Sequence, residues 1–252
     1  MTGDLLVLCY HGVSPAWPAA TSVRPGDLER QLESLLARGY RGATFAEALT
    51  TPPHERTLVV TFDDAHRSVY ESAAPLMARL GVPATVFVPT DYPGTERLMA
   101  WDGYDEWLGT EHEGELACMS WEQLGELAER GWEIGSHTCS HPRLSRLAEE
   151  EIAAELVESR RVCEQRMHGP CRSIAYPYSD YDPRVLRAAV KAGYQFGATV
   201  PRGPAAPLPL AWPRVGVYHG EDARRVRLRG RVRKLMPSVS ARAALAVRGL
   251  RR

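Results

Sequence analysis

Apolar runs and helical faces alternate along most of the chain. Continuous apolar runs at residues 5–9, 57–62 and 84–88 are typical of strands that are buried on both faces. Between them, leucines at helical spacing within 28–36 and the segment 68–80 predict helices. This alternation predicts an α/β fold with a mostly parallel sheet, closed or nearly closed into a distorted (β/α) barrel.

The second half of the chain keeps the same rhythm. Residues 121–130 and 149–168 are predicted to be helices, and Asp182 followed by Pro183 is a helix cap with proline at the first helical position. A helix over 184–192 should follow, between strands at 173–176 and 194–198. With 252 residues, of which 44% are hydrophobic and 25% charged, the chain can bury one large core without a domain split.

Residues 91–119 form the main irregular insertion in this pattern. They contain Trp101, Tyr104 and Trp107 among many acidic residues. Exposed aromatic rings of this kind can stack on sugar faces, whereas buried ones would form a small satellite core. The sequence leaves both interpretations open.

Charge is distributed unevenly although the formal net charge is zero. From Arg224 onward there are eleven Lys or Arg and no acidic residue, so the first 223 residues hold 20 basic and 31 acidic side chains. We therefore separate a domain at 1–223 from a basic C-terminal tail at 224–252. Apolar residues between 232 and 239 fall at helical spacing, which fits either a helix on an anionic membrane surface or a solvated basic terminus. Nucleic acid is not an expected partner, because no base-reading residues accompany the charge.

Neither end of the sequence has the pattern of an export signal. No apolar run reaches about 18 residues, so we expect a cytoplasmic chain, and the basic tail adds the option of peripheral membrane association. The five cysteines are odd in number and show no C-x-x-C spacing, which argues against a disulfide framework.

The clearest candidate chemistry begins at Asp63 and Asp64, where a buried strand ends. In parallel α/β folds, chemistry is placed at this carboxyl end of the strands. His137 and His141 follow another predicted strand end and stand four residues apart, so on a helical turn their imidazoles would share a face. One carboxylate with two imidazoles makes a three-ligand divalent-metal site, and the second carboxylate stays available to take a proton from water. An Asp pair alone can be a helix cap, and a His pair alone a solvated helix start, but the combination is far more specific.

Three motifs together resemble the polysaccharide deacetylases, carbohydrate esterase family four. They are T-F-D-D at 61–64, H-T-x-x-H at 137–141 and A-Y-P-Y at 175–178, the last as a variant of the third family motif. The resemblance covers roughly residues 5 to 218, and the phrase around His11 is similar to a permuted branch with an N-terminal catalytic His. It implies the distorted (β/α) barrel of that family and a metal-dependent hydrolase that removes an N-acetyl group from a sugar-containing substrate, releasing acetate and a free amine.

The resemblance also implies roles for individual residues. Asp64, His137 and His141 would bind the metal, Asp63 would be the general base, and the backbone N–H of Tyr178 would donate to the oxyanion. This ligand set suits Zn²⁺ best, while Co²⁺, Ni²⁺ and Fe²⁺ can occupy the same ligands.

Two histidines compete for the role of general acid. His11 lies at a predicted strand end and matches the permuted branch, so it is favoured over a purely structural role in a turn. His219 weakly resembles the L-x-H motif of unpermuted members and is the alternative.

The chain departs from the family pattern at three positions. The third motif usually begins with an Arg that orients the catalytic carboxylate, and this chain has Ala175 there. Arg214, at the start of the last apolar strand, is our hypothesis for the missing cation. Ala65 and Ser179 stand where the family commonly has glycine, which puts the loop geometry in doubt because glycine is required only where φ is positive.

Other functions fit parts of the same pattern. A related metal-dependent amidohydrolase could cleave a non-sugar amide with identical site chemistry, and a catalytically inactive glycan-binding module would account for Ala175 but not for Asp63. Non-haem iron oxygenases also use two His and one carboxylate, but on an all-β fold. A cytoplasmic location would favour a small N-acetylated metabolite, a nucleotide-linked or lipid-linked precursor or a glycosylated natural product over assembled extracellular polymer.

Overall fold

In the computed structural model, residues 4–50, 56–201, 203 and 205–234 are described, with residues 229–234 described by their helical backbone alone. The strands are β1 (Asp4–Tyr10), β2 (Gly12–Val13), β3 (Ser22–Val23), β4 (Arg41–Ala43), β5 (Arg56–Phe62), β6 (Ala84–Val88), β7 (Glu133–Ser136), β8 (Ser173–Ala175), β9 (Phe196–Thr199), β10 (Trp212–Pro213) and β11 (Val215–Gly216). The α-helices are α1 (Pro25–Leu36), α2 (Phe45–Thr50), α3 (Ala74–Leu80), α4 (Trp121–Glu129), α5 (Glu149–Met167), α6 (Pro183–Ala192) and α7 (Ala223–Lys234).

All pairings in the main sheet are parallel. The strand order is β10-β9-β8-β7-β6-β5-β1-β11, and β4 pairs with the first half of β5 where β6 pairs with its second half. The central strands are buried along their apolar runs because helices cover the outside of the sheet, as parallel sheets require. The carboxyl ends of these strands therefore open on one common rim.

The sheet nearly closes on itself through a single residue. β10 and β11 form the two opposite edges of the sheet, and only Arg214 separates them in the chain. The Arg214 amide donates to the Thr199 carbonyl at 2.8 Å, while Val217 N donates to Cys9 O at 2.9 Å on the other edge. We call this junction the barrel seam. The predicted, nearly closed (β/α) barrel is confirmed.

Most elements predicted from periodicity are present with nearly the expected bounds. The strand at β5 and the helices α4, α5 and α6 match to within two residues, and Asp182 caps α6 by accepting from the amides of Arg184 and Val185. The segment predicted as one helix over 68–80 instead begins with a π-helical turn at Val69–Ala73. The short elements β4 and α2 were not predicted, because three and six residues are too few to establish a period.

The insertion at 91–119 packs as a satellite core beside the barrel. Tyr92, Met99, Tyr104 and Leu116 are buried there around Trp17, and Trp101 and Trp107 pack against them. The satellite-core interpretation of the insertion therefore holds for Tyr104, whereas Trp101 is half-buried and also lines a cavity.

Of the basic tail, the structure describes only the part up to residue 234. Helix α7 packs on α1, with Val226 buried and Arg227 donating to Ser34. The remaining tail residues, 235–252, lie outside the described residues and include three of the four apolar positions of the predicted amphipathic segment. Within the described ranges, no helix combines the length and the apolar character needed to cross a membrane. All five cysteines are free.

Candidate active site

The predicted ligands meet at the carboxyl rim of the barrel. Asp64 lies just beyond β5, and His137 follows the last residue of β7. The Nε2 atoms of His137 and His141 lie 3.2 Å and 3.4 Å from Asp64 Oδ1. One ligand atom from each of the three buried side chains lies within 4.8 Å of the others. The structure thus brings together residues that are more than seventy positions apart in the chain.

The route by which the two histidines converge differs from the prediction. The helical turn expected for 137–141 is wrong, because Thr138 and His141 have left-handed φ values of 68° and 63°. Instead, Glu155 on α5 holds an irregular loop by accepting from Cys139 N at 2.7 Å, Ser140 N at 3.2 Å and Ser140 Oγ at 2.6 Å. These bonds replace the backbone bonds of a helix, and the imidazoles still meet with ring centroids 4.8 Å apart.

The donor atoms are oriented as a cation would require. His137 Nδ1 lies 2.8 Å from the Ala175 carbonyl, which can only accept, so Nδ1 carries the proton and Nε2 presents its lone pair. Asp64 Oδ2 accepts from the Tyr104 hydroxyl at 2.8 Å. Asp64 Oδ1 is buried without a hydrogen-bond donor among the described residues. An undonated carboxylate oxygen faced by two imidazole nitrogens fits a divalent cation with a two-nitrogen, one-oxygen donor set.

The pKa values of the three ligands reflect burial and their mutual contacts. Burial alone would raise the pKa of Asp64, but the attraction of the neighbouring His137 and His66 imidazoles outweighs it and holds the pKa well below its ordinary value. Burial lowers the pKa of His141 to about 3, whereas for His137 burial is overcome by the attraction of the nearby Asp64 carboxylate, which raises the pKa. A cation must therefore compete with a proton at His137, and we expect binding to weaken as the pH falls.

The second carboxylate, Asp63, is held by the arginine of the barrel seam. Arg214 donates from its two terminal nitrogens to the two carboxylate oxygens at 2.6 Å and 2.7 Å, and also to Thr61 Oγ1 at 2.8 Å. Burial pushes the pKa of Asp63 upward, but the Arg214 guanidinium outweighs it and the pKa falls to about 2. The Cys9 thiol donates to the same carboxylate at 3.4 Å. Arg214 therefore contacts the carboxylate that the family's arginine, replaced here by Ala175, would orient. Its part in catalysis stays a prediction.

The two candidate general acids lie in different surroundings. His11 is half-buried, lines the same cavity as Asp63 and Asp64, and has a pKa that burial lowers against the opposing charges of these two carboxylates. His219 instead has its Nδ1 at 3.1 Å from the Ser22 carbonyl and is not among the residues that line the cavity. The geometry favours His11, and the role of either residue remains a prediction.

Left-handed backbone surrounds the site. Tyr178 and Ser179 have φ values of 56° and 54°, and Ala65 has 55°. Ala65 and Ser179 thus adopt the left-handed conformation without glycine, at a cost of about 1–2 kcal/mol each. Ser179 gains a compensating bond, because its Oγ accepts from Val200 N at 2.6 Å. The loop around the Tyr178 amide therefore keeps the left-handed backbone that a glycine would adopt, although Ser179 stands at that position.

A cavity of about 310 Å³ opens over these groups. Its lining includes His11, Asp63, Asp64 and the two ligand histidines, together with Trp101, Tyr178 and Tyr218. Arg143 lies over the Tyr178 ring at 3.8 Å and pairs with Asp102 at 2.8 Å, so it ties the insertion to the loop after β8. The volume lies at the lower end of the range for small-molecule sites.

Sequence reasoning missed the contacts of three residues with the proposed ligands: Tyr104 and His66 lie beside Asp64, and Trp101 lies against His141. The Tyr104 hydroxyl donates to Asp64 and also lies 2.9 Å from His66 Nε2, and His66 Nδ1 lies 2.9 Å from the Glu115 carbonyl. Trp101 stacks on His141 with ring centroids 3.8 Å apart. The only available signals were the aromatic content of the insertion and a third histidine two positions after Asp64.

Comparison with known proteins places this site in a family. A sequence model described as polysaccharide deacetylase matches residues 50–197. The polysaccharide-deacetylase-type protein YxkH of Bacillus subtilis (strain 168) is 29% identical over 207 residues, which are 80% of this chain and 66% of that protein. The poly-β-1,6-N-acetyl-D-glucosamine N-deacetylase of Staphylococcus aureus (strain MSSA476) is 25% identical over 70% of this chain and 60% of its own length.

The fold agrees with solved structures as well. The Streptococcus pyogenes deacetylase PplD, solved in complex with acetate, superposes with a TM-score of 0.73 at 20% identity, covering 90% of this chain and 98% of that one. At this identity the likeness concerns the fold. The matched family region contains Asp63, Asp64 and both ligand histidines, whereas His11 and Arg214 lie outside it. Since that region spans more than half of the sequence, the chain belongs to the polysaccharide deacetylase family.

Proposed function

We propose that this chain is a metal-dependent hydrolase that removes the N-acetyl group from a sugar-containing substrate, releasing acetate and a free amine. The observation that carries the proposal is the convergence of Asp64, His137 and His141 beside Asp63, whose carboxylate is ionised and clamped by Arg214. An inactive glycan-binding module would need neither the clamp nor the base. The family and the named activity of the Staphylococcus aureus relative favour a glycan that contains N-acetylglucosamine.

Each polar group of the rim has a chemical task in this proposal. A divalent cation held by Asp64, His137 and His141 would polarise the N-acetyl carbonyl and lower the pKa of a bound water. Asp63 takes the proton of the attacking water, and the Tyr178 amide donates to the carbonyl oxygen as negative charge develops on it.

The leaving group and the base need two further residues. His11, which lines the same cavity as Asp63, gives a proton to the departing amine nitrogen. Arg214 keeps Asp63 ionised and fixes the directions of its oxygens, which is the task of the arginine that the third family motif usually supplies. Burial keeps the Arg214 side chain, which is 1% exposed, out of reach of substrate, so it acts through Asp63 alone.

For the cation we propose Zn²⁺, because two imidazoles and one carboxylate match its preferred donors, with Co²⁺, Ni²⁺ and Fe²⁺ as the alternatives. Metal analysis of protein purified without chelators identifies it directly. A preparation that takes up none of these ions, with Asp64 intact, would contradict the proposal.

The substrate assay measures acetate release by metal-reconstituted protein. It compares β-1,6-linked N-acetylglucosamine oligomers with nucleotide-linked and lipid-linked N-acetyl sugars, and with non-sugar amides. Asp63→Asn should lower turnover at least about a thousandfold, the range expected for losing general-base catalysis, while metal content stays unchanged. Release from non-sugar amides only would support the amidohydrolase alternative. Glycan binding that is equal in both proteins and without acetate release would support the inactive module.

The cellular location of the chain and the role of its basic tail are two further proposals. We propose that the basic tail contacts anionic membranes, because eleven basic residues follow position 223 without an acidic one. Since anionic lipids face the cytoplasm, we propose a cytoplasmic location as well. Vesicle pelleting compares the full chain with one that ends at Lys234, which retains α7 and its packing on α1. Equal sedimentation with anionic and neutral vesicles for both chains would dismiss the membrane contact.

A further inference from the structure

The insertion at 91–119 contacts the proposed metal site as well as its own satellite core. Two side chains from a four-residue stretch reach different ligands: Trp101 stacks on His141 with a 3.8 Å centroid distance and an 18° angle between the planes, and Tyr104 bonds Asp64. No family motif lies in this segment. Its contacts nevertheless include two of the three proposed ligands.

Tyr104 makes the more directional of the two contacts. Its hydroxyl lies 2.8 Å from Asp64 Oδ2, an ordinary hydrogen-bond length, whereas Asp64 Oδ1 has no donor in the described part of the chain and faces both histidines. One carboxylate oxygen is therefore occupied by the protein and the other is left for a cation. His66 Nε2, at 3.6 Å from Oδ2, is too far to replace the hydroxyl without moving.

The position of the Tyr104 hydroxyl is itself fixed from several sides. The ring is 4% exposed and packs against Trp17 and His66 with centroids 5.6 Å and 5.2 Å away. Thr21 donates to the hydroxyl oxygen at 3.4 Å, and His66 Nε2 lies 2.9 Å from it. A carboxylate oxygen can only accept, so the single hydroxyl proton of Tyr104 is donated to Asp64 Oδ2.

We propose that Tyr104 is a positioning residue of the metal site, which holds Asp64 by Oδ2 so that Oδ1 alone coordinates the cation. This inference rests on the proposed function, because it assigns a role toward the same cation. Removing a hydrogen-bond partner of a metal ligand typically weakens metal binding by about 10–100-fold. Without the hydroxyl, Oδ2 would be a buried acceptor with no donor, and the carboxylate would gain by turning both oxygens toward the cation.

The test compares Tyr104→Phe with Tyr92→Phe. Both substitutions delete one hydroxyl from the same satellite core and keep the ring, but only Tyr104 bonds Asp64. Three quantities are measured: the Zn²⁺ dissociation constant by competition with a chromophoric chelator, the visible absorption spectrum of the Co²⁺-loaded protein, and the melting temperature of the metal-free protein. The Co²⁺ spectrum reports the number of ligands, which a purely structural role would not change.

We expect Tyr104→Phe to bind Zn²⁺ about 10–100-fold more weakly than wild type, the range for losing a partner of a metal ligand. Its Co²⁺ bands should shift and weaken, because Asp64 Oδ2 is then free to join Oδ1 on the cation. Tyr92→Phe should keep both wild-type values. An unchanged Co²⁺ spectrum and an affinity within twofold of wild type for Tyr104→Phe would overturn the inference while leaving the proposed function intact. Equal losses in both variants would also overturn it, since the effect would then be one of core packing. Wild-type protein that binds neither ion would overturn the proposed function itself.

Discussion

Replacing Arg214 by methionine should change the pH dependence of catalysis. Arg214 lowers the pKa of Asp63 from an ordinary value of 3.8 to about 2 against the opposing effect of burial. At about 1.4 kcal/mol per pH unit, the net preference for the ionised carboxylate is about 2.5 kcal/mol. Removing the guanidinium leaves burial in place, so the pKa of Asp63 should rise above 3.8, by at least about two pH units in all.

The sign of the effect follows from the form of Asp63 that works as a base. Only the carboxylate accepts a proton, so activity is lost as the pH falls through the pKa of Asp63. In the wild type Asp63 becomes protonated only near pH 2, so its protonation does not affect kcat/KM at the pH of ordinary assays. In Arg214→Met, kcat/KM should fall tenfold per pH unit below the raised pKa. Fold stability follows the same rule: Asp63, with its lowered pKa, stabilises the fold above pH 3.8, and that contribution disappears as the pH falls toward 2.

The assay is the pH profile of kcat/KM, with metal content measured at every pH because protonation of His137 also weakens cation binding. Breaking a buried ion pair costs about 3–5 kcal/mol, so folding is checked by denaturant titration, and Arg214→Lys serves as a milder variant that keeps one charge. Arg160→Met is the matched control, since the partners of Arg160 in the described part of the chain are Cys171, Ala192 and Glu164, which do not line the cavity. A folded, metal-loaded Arg214→Met enzyme with the acid limb of the wild type would refute this account of the clamp.

Three further substitutions test the surroundings of the site. Glu155→Ala removes three hydrogen bonds from the histidine loop and should lower stability by about 2 kcal/mol, or about 4–8 °C in melting temperature; a fall of less than 1 °C would speak against this role. His168 ends α5 with a φ of 51°, so His168→Gly should raise the melting temperature by about 1–3 °C with unchanged turnover, and no rise would mean that this position carries no strain. His11→Gln should slow amide cleavage about a hundredfold but spare 4-nitrophenyl acetate, whose leaving group needs no acid; the same pattern in His219→Gln instead would reverse the assignment.

The barrel could be predicted from the sequence because its buried strands are long apolar runs and its helices have clear faces. The placement of Asp64 beside His137 followed from strand ends alone, since parallel strands open on one rim. The conformation of the histidine loop could not be predicted, because it depends on Glu155, whose bonds to the loop arise only when α5 packs beside it. Tyr104 was missed for the same reason. An irregular insertion has no hydrophobic period that predicts which residues a side chain contacts.

The place of Arg214 in the seam links the shape of the molecule to its chemistry. The Arg214 backbone joins the two edge strands β10 and β11, and its side chain supplies the counter-ion of the base. A thermal fluctuation that separates these two edges would move Arg214 away from Asp63. Asp63 would then take up a proton or lose its fixed position, even while every helix is still formed. In this architecture, loss of turnover would be the earliest sign that the wall of the barrel has begun to open.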